Sequence, residues 1–326
     1  MTFFFLIMMQ LGVIYFLAFS CVCKSWRLFA VSNWNKFMAS TPPMRMRFSN
    51  HEYKREGYCY LEDFERRKFK TMIPHSAGRR CIGLTCGYLI LFGMETKDFW
   101  LVNPITRHQL HFPSTPFYPP PYPYHLRAAL VFSASISGWV FVALDRVSPH
   151  KIWFSVTGKG LWNHVHSTFP IHDLHAFKGK IYLREVTHLC ELRLDAEPKL
   201  VLLETKNFLK LNPSLWWFVC SAENLFVLQN VSSDSWKLHE LDFGEMKLVW
   251  QEKAIGEYAF FHCRDFGYSI AIKSESWANH PRTQYQQFAF FPNTPAWRTR
   301  HECRFFWANK WYFPHDYLNA NLIDES

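Results

Sequence analysis

A turn residue followed closely by an aromatic that opens a short apolar run recurs six times in this chain. It stands at Gly87-Tyr88, Gly138-Trp139, Gly179 to Tyr182, Asn224 to Phe226, Gly267-Tyr268 and Asn309 to Trp311, at intervals of 41 to 51 residues. The runs read YLILF, WVFVAL, IYLRE, LFVLQN, YSIAIK and WYF, short and rich in the β-branched and aromatic residues that suit a pleated surface. Second strand candidates lie between them, among them FWLVN at 99–103, KIWFSV at 151–156, LCELRL at 189–194 and KLHELDF at 237–243. A unit of several short strands cannot bury its faces alone. Repeated every forty residues or so, such units must stack on one another, which is the logic of β-propeller blades. No unit holds a capped, apolar-periodic stretch of ten or more residues, so a helical repeat is disfavoured. The expectation is a mainly β fold, a propeller of about six blades over residues 76–318, with the aromatic at each mark buried between blades.

Composition supports a packed chain. Hydrophobic residues make up 49% and charged residues only 19%, which argues against global disorder, and the 18% aromatic content suits flat strand faces that pack on one another. The formal charge of +9 is diluted by mixed runs such as KREGYCYLEDFERRKFK at 54–70, which reads as part of a solvated linker, 39–75, rather than as a nucleic-acid site. Nine cysteines at irregular spacing suggest reduced thiols in the cytoplasm or nucleus. The six prolines of FPSTPFYPPPYPYHLR, 112–127, predict an extended excursion between blades.

The N-terminus reads as helix. Phe19, Val22, Cys23, Trp26 and Ala30 fall on one apolar stripe at helical spacing, while Lys24, Ser25 and Arg27 face away. Upstream, FFFLIMMQLGVIYFLAF is apolar all round, so its periodicity leaves open whether protein or lipid covers it. No Lys or Arg precedes Lys24, unlike the positive start of a secretory signal.

Chemistry-bearing patterns are few. His164 and His166 alternate on one strand, followed by His172, Asp173 and His175, but no Cys or carboxylate framework completes a metal-ligand spacing. TGKG at 157–160 lacks the pattern of a phosphate-binding loop and reads as a hairpin turn. No nucleophile has a base at a recognisable spacing. Hence no catalytic, cofactor-binding or metal residue is assigned, and no nucleic-acid or membrane partner is expected; a propeller enzyme and a membrane-tethered variant remain alternatives.

VCKSWR at 22–27, GYLILF followed by FWLVNPITRHQLHFP within 87–113, FKGKIYL at 177–183 and the YFPHDYLNANLIDES ending resemble plant F-box proteins with a kelch-like, KIB-type β-propeller. The resemblance implies an adaptor subunit of a Skp1–cullin–F-box ubiquitin ligase, with a Skp1-like protein on the F-box helices and a protein target, protein kinases among them, on the propeller. It divides the chain into truncated F-box-like helices at 1–38, the linker, the propeller and a tail at 319–326. Leu11, Phe19, Val22, Cys23 and Trp26 match the apolar F-box pattern and Lys24 and Arg27 its basic positions, while MTFFFL stands where the Leu-Pro start of the first F-box helix would be.

Overall fold

The computed structural model describes residues 13–40, 43–49, 55–63, 66–116, 126–185, 188–195, 197–207, 216–221, 223–232, 235–251, 258–263, 268–273, 304–308 and 311–312. Two helices come first, α1 (Val13–Ser20) and α2 (Lys24–Ser40), and every later described element is a strand. The first sheet contains β1 (Met44–Ser49), β2 (Tyr58–Glu62) and β3 (Lys68–Met72). The second contains β4 (Arg79–Thr85), β5 (Tyr88–Gly93), β6 (Phe99–Val102) and β7 (Gln109–Phe112), and the third β8 (Leu126–Ser133), β9 (Gly138–Asp145), β10 (Lys151–Val156) and β11 (Trp162–His166). The fourth contains β12 (Asp173–Phe177), β13 (Lys180–Arg184), β14 (Leu189–Arg193) and β15 (Lys199–Leu203). The last contains β16 (Trp216–Cys220), β17 (Leu225–Ser232), β18 (Ser235–Asp242), β19 (Lys247–Trp250), β20 (Tyr258–Cys263), β21 (Tyr268–Lys273) and β22 (Arg304–Ala308). The C-terminal β23 (Trp311–Tyr312) returns to pair with β1, Met44 against Tyr312, so the two ends of the chain close one sheet.

The second, third and fourth sheets are antiparallel meanders, and their first strands, β4, β8 and β12, lie side by side. Leu130 N of β8 donates to Thr85 Oγ1 of β4 at 2.8 Å, and Cys220 of β16 reaches Ala176 O of β12. The second strands β5 and β9 are buried nearly throughout, because each is covered on both faces by neighbouring sheets. The cores accordingly form wedges between sheets. One joins Tyr88, Phe92, Phe99 and Phe112 of the second sheet to Leu130, Trp139 and Phe141 of the third; the next joins Val140, Val142 and Ile152 of the third to Leu174, Ile181 and Leu183 of the fourth. This is propeller packing.

The repeated marks mostly fall where the periodicity places them. Cys86 and Gly87 both have positive φ, as do Lys178 and Gly179, forming two-residue turns of the kind that match strand twist and favour glycine. The aromatics that follow are buried, Tyr88 at 0%, Trp139 at 6%, Tyr182 at 4% and Phe226 at 1% exposure. Tyr268 opens β21 and Trp311 opens β23, whereas Gly267 and the prolines at 119–123 lie outside the described residues. TGKG is indeed the turn of the β10–β11 hairpin, with Gly158 and Gly160 at positive φ.

Two expectations need correction. Five sheets stand where about six blades were expected, because β20–β22 do not form a separate four-stranded blade among the described residues: β21 joins β16 through the parallel pair Cys220–Ile270, and β22 runs parallel to β20. Nor is 39–75 a linker. Its charged run alternates, with Cys59 and Leu61 buried and Tyr58 and Tyr60 outward, so one face of β2 carries the core while the other carries the charges.

The passage from the first sheet to the second is latched by Glu56. Its carboxylate accepts the backbone N–H groups of His75, Ser76 and Ala77 at 3.1, 2.6 and 3.1 Å and the Ser76 hydroxyl at 2.8 Å. Burial pushes its pKa up, but the Ser76 hydroxyl and the three N–H groups outweigh that and hold it below the usual value. A carboxylate depressed on folding stabilises fully above its ordinary pKa, and the gain is lost as pH falls through the depressed value. Glu56→Ala is therefore expected to cost about 1 kcal/mol at neutral pH, solvent screening keeping it at the low end for a charged acceptor, with the difference from the parent shrinking in acid; urea unfolding at two pH values measures both.

Candidate functional site: the helical hairpin and a buried charge cluster

Helices α1 and α2 fold back on each other across a turn at residues 21–23, where Cys21 N donates to Ala18 O and Val22 N to Phe19 O. No glycine or proline marks this break; tertiary packing sets it. Folding back stacks Phe16 on Phe37 at 4.0 Å and Phe19 on Trp26 at 4.4 Å, and this inner face joins Met44, Met46, Leu61 and Tyr312 of the first sheet in one core. The single stripe read from the sequence is thus divided. Phe19, Trp26 and Ala30 do turn inward, Trp26 only half-buried, but Val22 and Cys23 sit in the turn and face solvent, Val22 at 61% exposure. Lys24 and Arg27 face outward as read, and Leu11 lies outside the described residues.

The outer face carries a second pattern that the sequence reading missed. Lys24, Arg27, Leu28 and Val31 fall at i, i+3, i+4 and i+7 on α2, and all are exposed, Leu28 at 68% and Val31 at 59%. Tyr15 of α1 adds an aromatic at 59%. The 24/27/28/31 spacing was available as a signal, but its mixed chemistry hid it behind the more uniform inner stripe. Two aliphatic side chains beside two cations form a surface able to desolvate against a partner while its rim stays charged.

The second cluster lies on the fourth sheet and the start of the third. Asp173, at the first position of β12, has Arg127 Nε at 3.5 Å, His175 Nε2 at 3.5 Å and Arg184 Nη2 at 3.8 Å. Burial opposes its charge, yet His175 and the two guanidiniums hold the carboxyl far below the usual carboxylate range. Burial pushes the His172 pKa down, and Arg184 and Arg146 add to the effect. Asp173 is thereby committed to its cations. His164 and His166 are exposed on β11, apart from this cluster, and among the described residues no three His, Cys, Asp or Glu side chains converge as metal ligands would.

The sequence profile of the KIB1-4 beta-propeller matches residues 59–280, more than half of the chain. The chain belongs to the KIB1-4 beta-propeller family. The matched span of this KIB1-4 propeller begins inside β2, in keeping with the strands found where a linker was expected. No curated protein matches the chain in sequence. Among solved structures it is similar to TolB from Acinetobacter baumannii, with 12% identity, TM-score 0.38 and coverage of 70% of this chain and 58% of that one. It is similar also to the WD40 domain of SCAP from fission yeast, with 11% identity, TM-score 0.36 and coverage of 68% and 59%. A third is the dihydro-heme d1 dehydrogenase NirN in complex with DHE, with 8% identity, TM-score 0.37 and coverage of 63% and 46%. The chain spans less than two thirds of the length of each.

Proposed function

We propose that this protein is the substrate-recognition subunit of a Skp1–cullin–F-box ubiquitin ligase, non-catalytic itself, in which the helical hairpin holds a Skp1-like protein and the kelch-like propeller presents a protein target, protein kinases among the candidates. The observation that carries the reading is the division of labour in the hairpin: Phe16, Phe19 and Phe37 are used to seat it on the first sheet, while Leu28 and Val31 stay outward beside Lys24 and Arg27, with Val22 and Tyr15 exposed as well. A module seated through its inner face, with exposed aliphatic side chains beside cations on its outer face, is preorganised to couple a target-holding propeller to a second protein. The cytoplasm or nucleus is the proposed compartment, on the irregular spacing of the nine cysteines.

The test is calorimetric titration of purified Skp1 into the full chain. The double variant Leu28→Asp, Val31→Asp is expected to bind about 30-fold more weakly, as loss of an interface anchor does, while its unfolding temperature stays close to the parent's because both side chains are exposed. Absence of binding by the parent, or equal binding by the variant, would overturn the proposal.

A further inference from the structure

The register of the first sheet brings together residues that are scattered in sequence. Across β1, β2 and β3 it sets three rows side by side: Arg45, Glu62 and Lys68; Arg47, Tyr60 and Lys70; Ser49, Tyr58 and Met72. Residues directly opposite in an antiparallel ladder project to the same side. Four cations, two tyrosines and a methionine therefore share one face with a single carboxylate. This face is open, with Tyr58 at 38%, Tyr60 at 39% and Met72 at 48% exposure, whereas Met46, Cys59 and Leu61 on the other side belong to the core.

Lysines on an edge strand commonly serve to discourage further strand pairing, and β3 is an edge, so Lys68 and Lys70 alone would need no other account. That account does not extend to Arg45, which is paired on both sides, with Glu62 of β2 and Trp311 of β23, and Arg47 projects from the same face two residues on. Gathering four like charges on one face raises self-repulsion in the folded state, which an anionic partner relieves. The choice of anion follows from Lys70. Its ammonium lies over the Tyr58 ring at 4.1 Å from the centroid and over Tyr60 at 5.4 Å, so the ring faces on which bases would stack are already engaged by a cation. What remains on offer is charge and the tyrosine edges. Charges two residues apart on one strand repeat at about 7 Å, the spacing at which alternate side chains of an extended segment project from one side.

We propose that this face, through Arg45, Arg47, Lys68 and Lys70, binds an acidic extended segment of a protein; that the segment belongs to the ligase target rests on the adaptor reading above. The probe is a fluorescent decapeptide of alternating glutamate and serine, titrated against the full chain by anisotropy, with a glutamine–serine decapeptide and an oligouridylate of equal charge as comparators. The glutamate peptide is expected to bind, to weaken as salt rises, and to lose about tenfold in affinity to the double reversal Arg47→Glu, Lys70→Glu. A matched reversal of exposed lysines elsewhere, Lys159→Glu with Lys199→Glu, is expected to leave affinity within about twofold. Thermal unfolding checks that both variants fold. No binding by the parent, an equal loss in the matched reversal, or oligouridylate binding as tightly as the glutamate peptide would each overturn the proposal. Skp1 titration of the Arg47→Glu, Lys70→Glu variant separates the two readings, since the hairpin's outer face is untouched in it.

Discussion

Phe141→Ala is expected to destabilise the chain by about 3–5 kcal/mol, at least about a fifth of the roughly 5–15 kcal/mol that holds a typical domain together. Phe141 is fully buried on β9, where its ring meets Phe112 at 4.8 Å and Phe99 at 5.0 Å from the second sheet and Trp162 at 6.2 Å from its own. The wedge is closed further by a hydrogen bond from Trp162 Nε1 to Pro113 O at 2.9 Å, so little can collapse into the space a missing ring leaves. A cavity that cannot close costs both the lost transfer free energy and the lost contacts. Val147→Ala is the control, because Val147 is 62% exposed and its truncation should stay within about 0.5 kcal/mol. Urea unfolding of the two variants measures the difference, and equal effects would contradict the view that the sheets are held mainly by wedges between them.

The aromatics of those wedges were legible in the sequence for a physical reason. A hairpin with two left-handed turn residues favours glycine, and the strand that follows is sandwiched between sheets, so glycine and aromatic recur together as at Gly87-Tyr88 and, three residues apart, at Gly179 and Tyr182. The blade count was less legible. Six marks are present, but how β20–β22 pair depends on contacts between strands far apart in the chain, and these carry no local signal. The first sheet was misread because its charges dominate the run at 54–70; the alternation in YCYLE, polar out and apolar in, was the better guide. On the hairpin, helical periodicity was read straight through residues 21–23. The break there is made by Phe16 meeting Phe37 and Phe19 meeting Trp26, a tertiary choice that no turn residue announces. The charge cluster is only partly visible in the sequence: Asp173 and His175 stand two residues apart, whereas Arg127 arrives from another sheet.

Asp173→Asn is the variant expected to rival Phe141→Ala, at about 3–5 kcal/mol, the usual cost of breaking a buried ion pair from one side. The carboxylate lies between Arg127, Arg184 and His175 at 3.5 to 3.8 Å, and Arg127 and Arg184 are themselves only 16% and 8% exposed. Amide replacement keeps the shape and removes the charge, leaving the two guanidiniums to face each other and Arg146, whose repulsion already weighs on both. Deleting the cluster as a whole should be milder. The triple variant Asp173→Leu, Arg127→Met, Arg184→Met is expected to fall well short of the single change, because apolar side chains of similar volume carry no desolvation penalty. The pH dependence has a definite sign. Since the folded-state pKa of Asp173 lies far below its ordinary value, its stabilisation is complete above about pH 4 and declines only as pH falls further, so the gap between parent and Asp173→Asn should hold from neutrality down to that point and close beyond it. Unfolding curves at several pH values decide the matter. A gap that closes already between pH 7 and 5 would mean that the carboxylate is not held by its cations, and a triple variant as unstable as the single one would mean that the cluster contributes by shape rather than by charge.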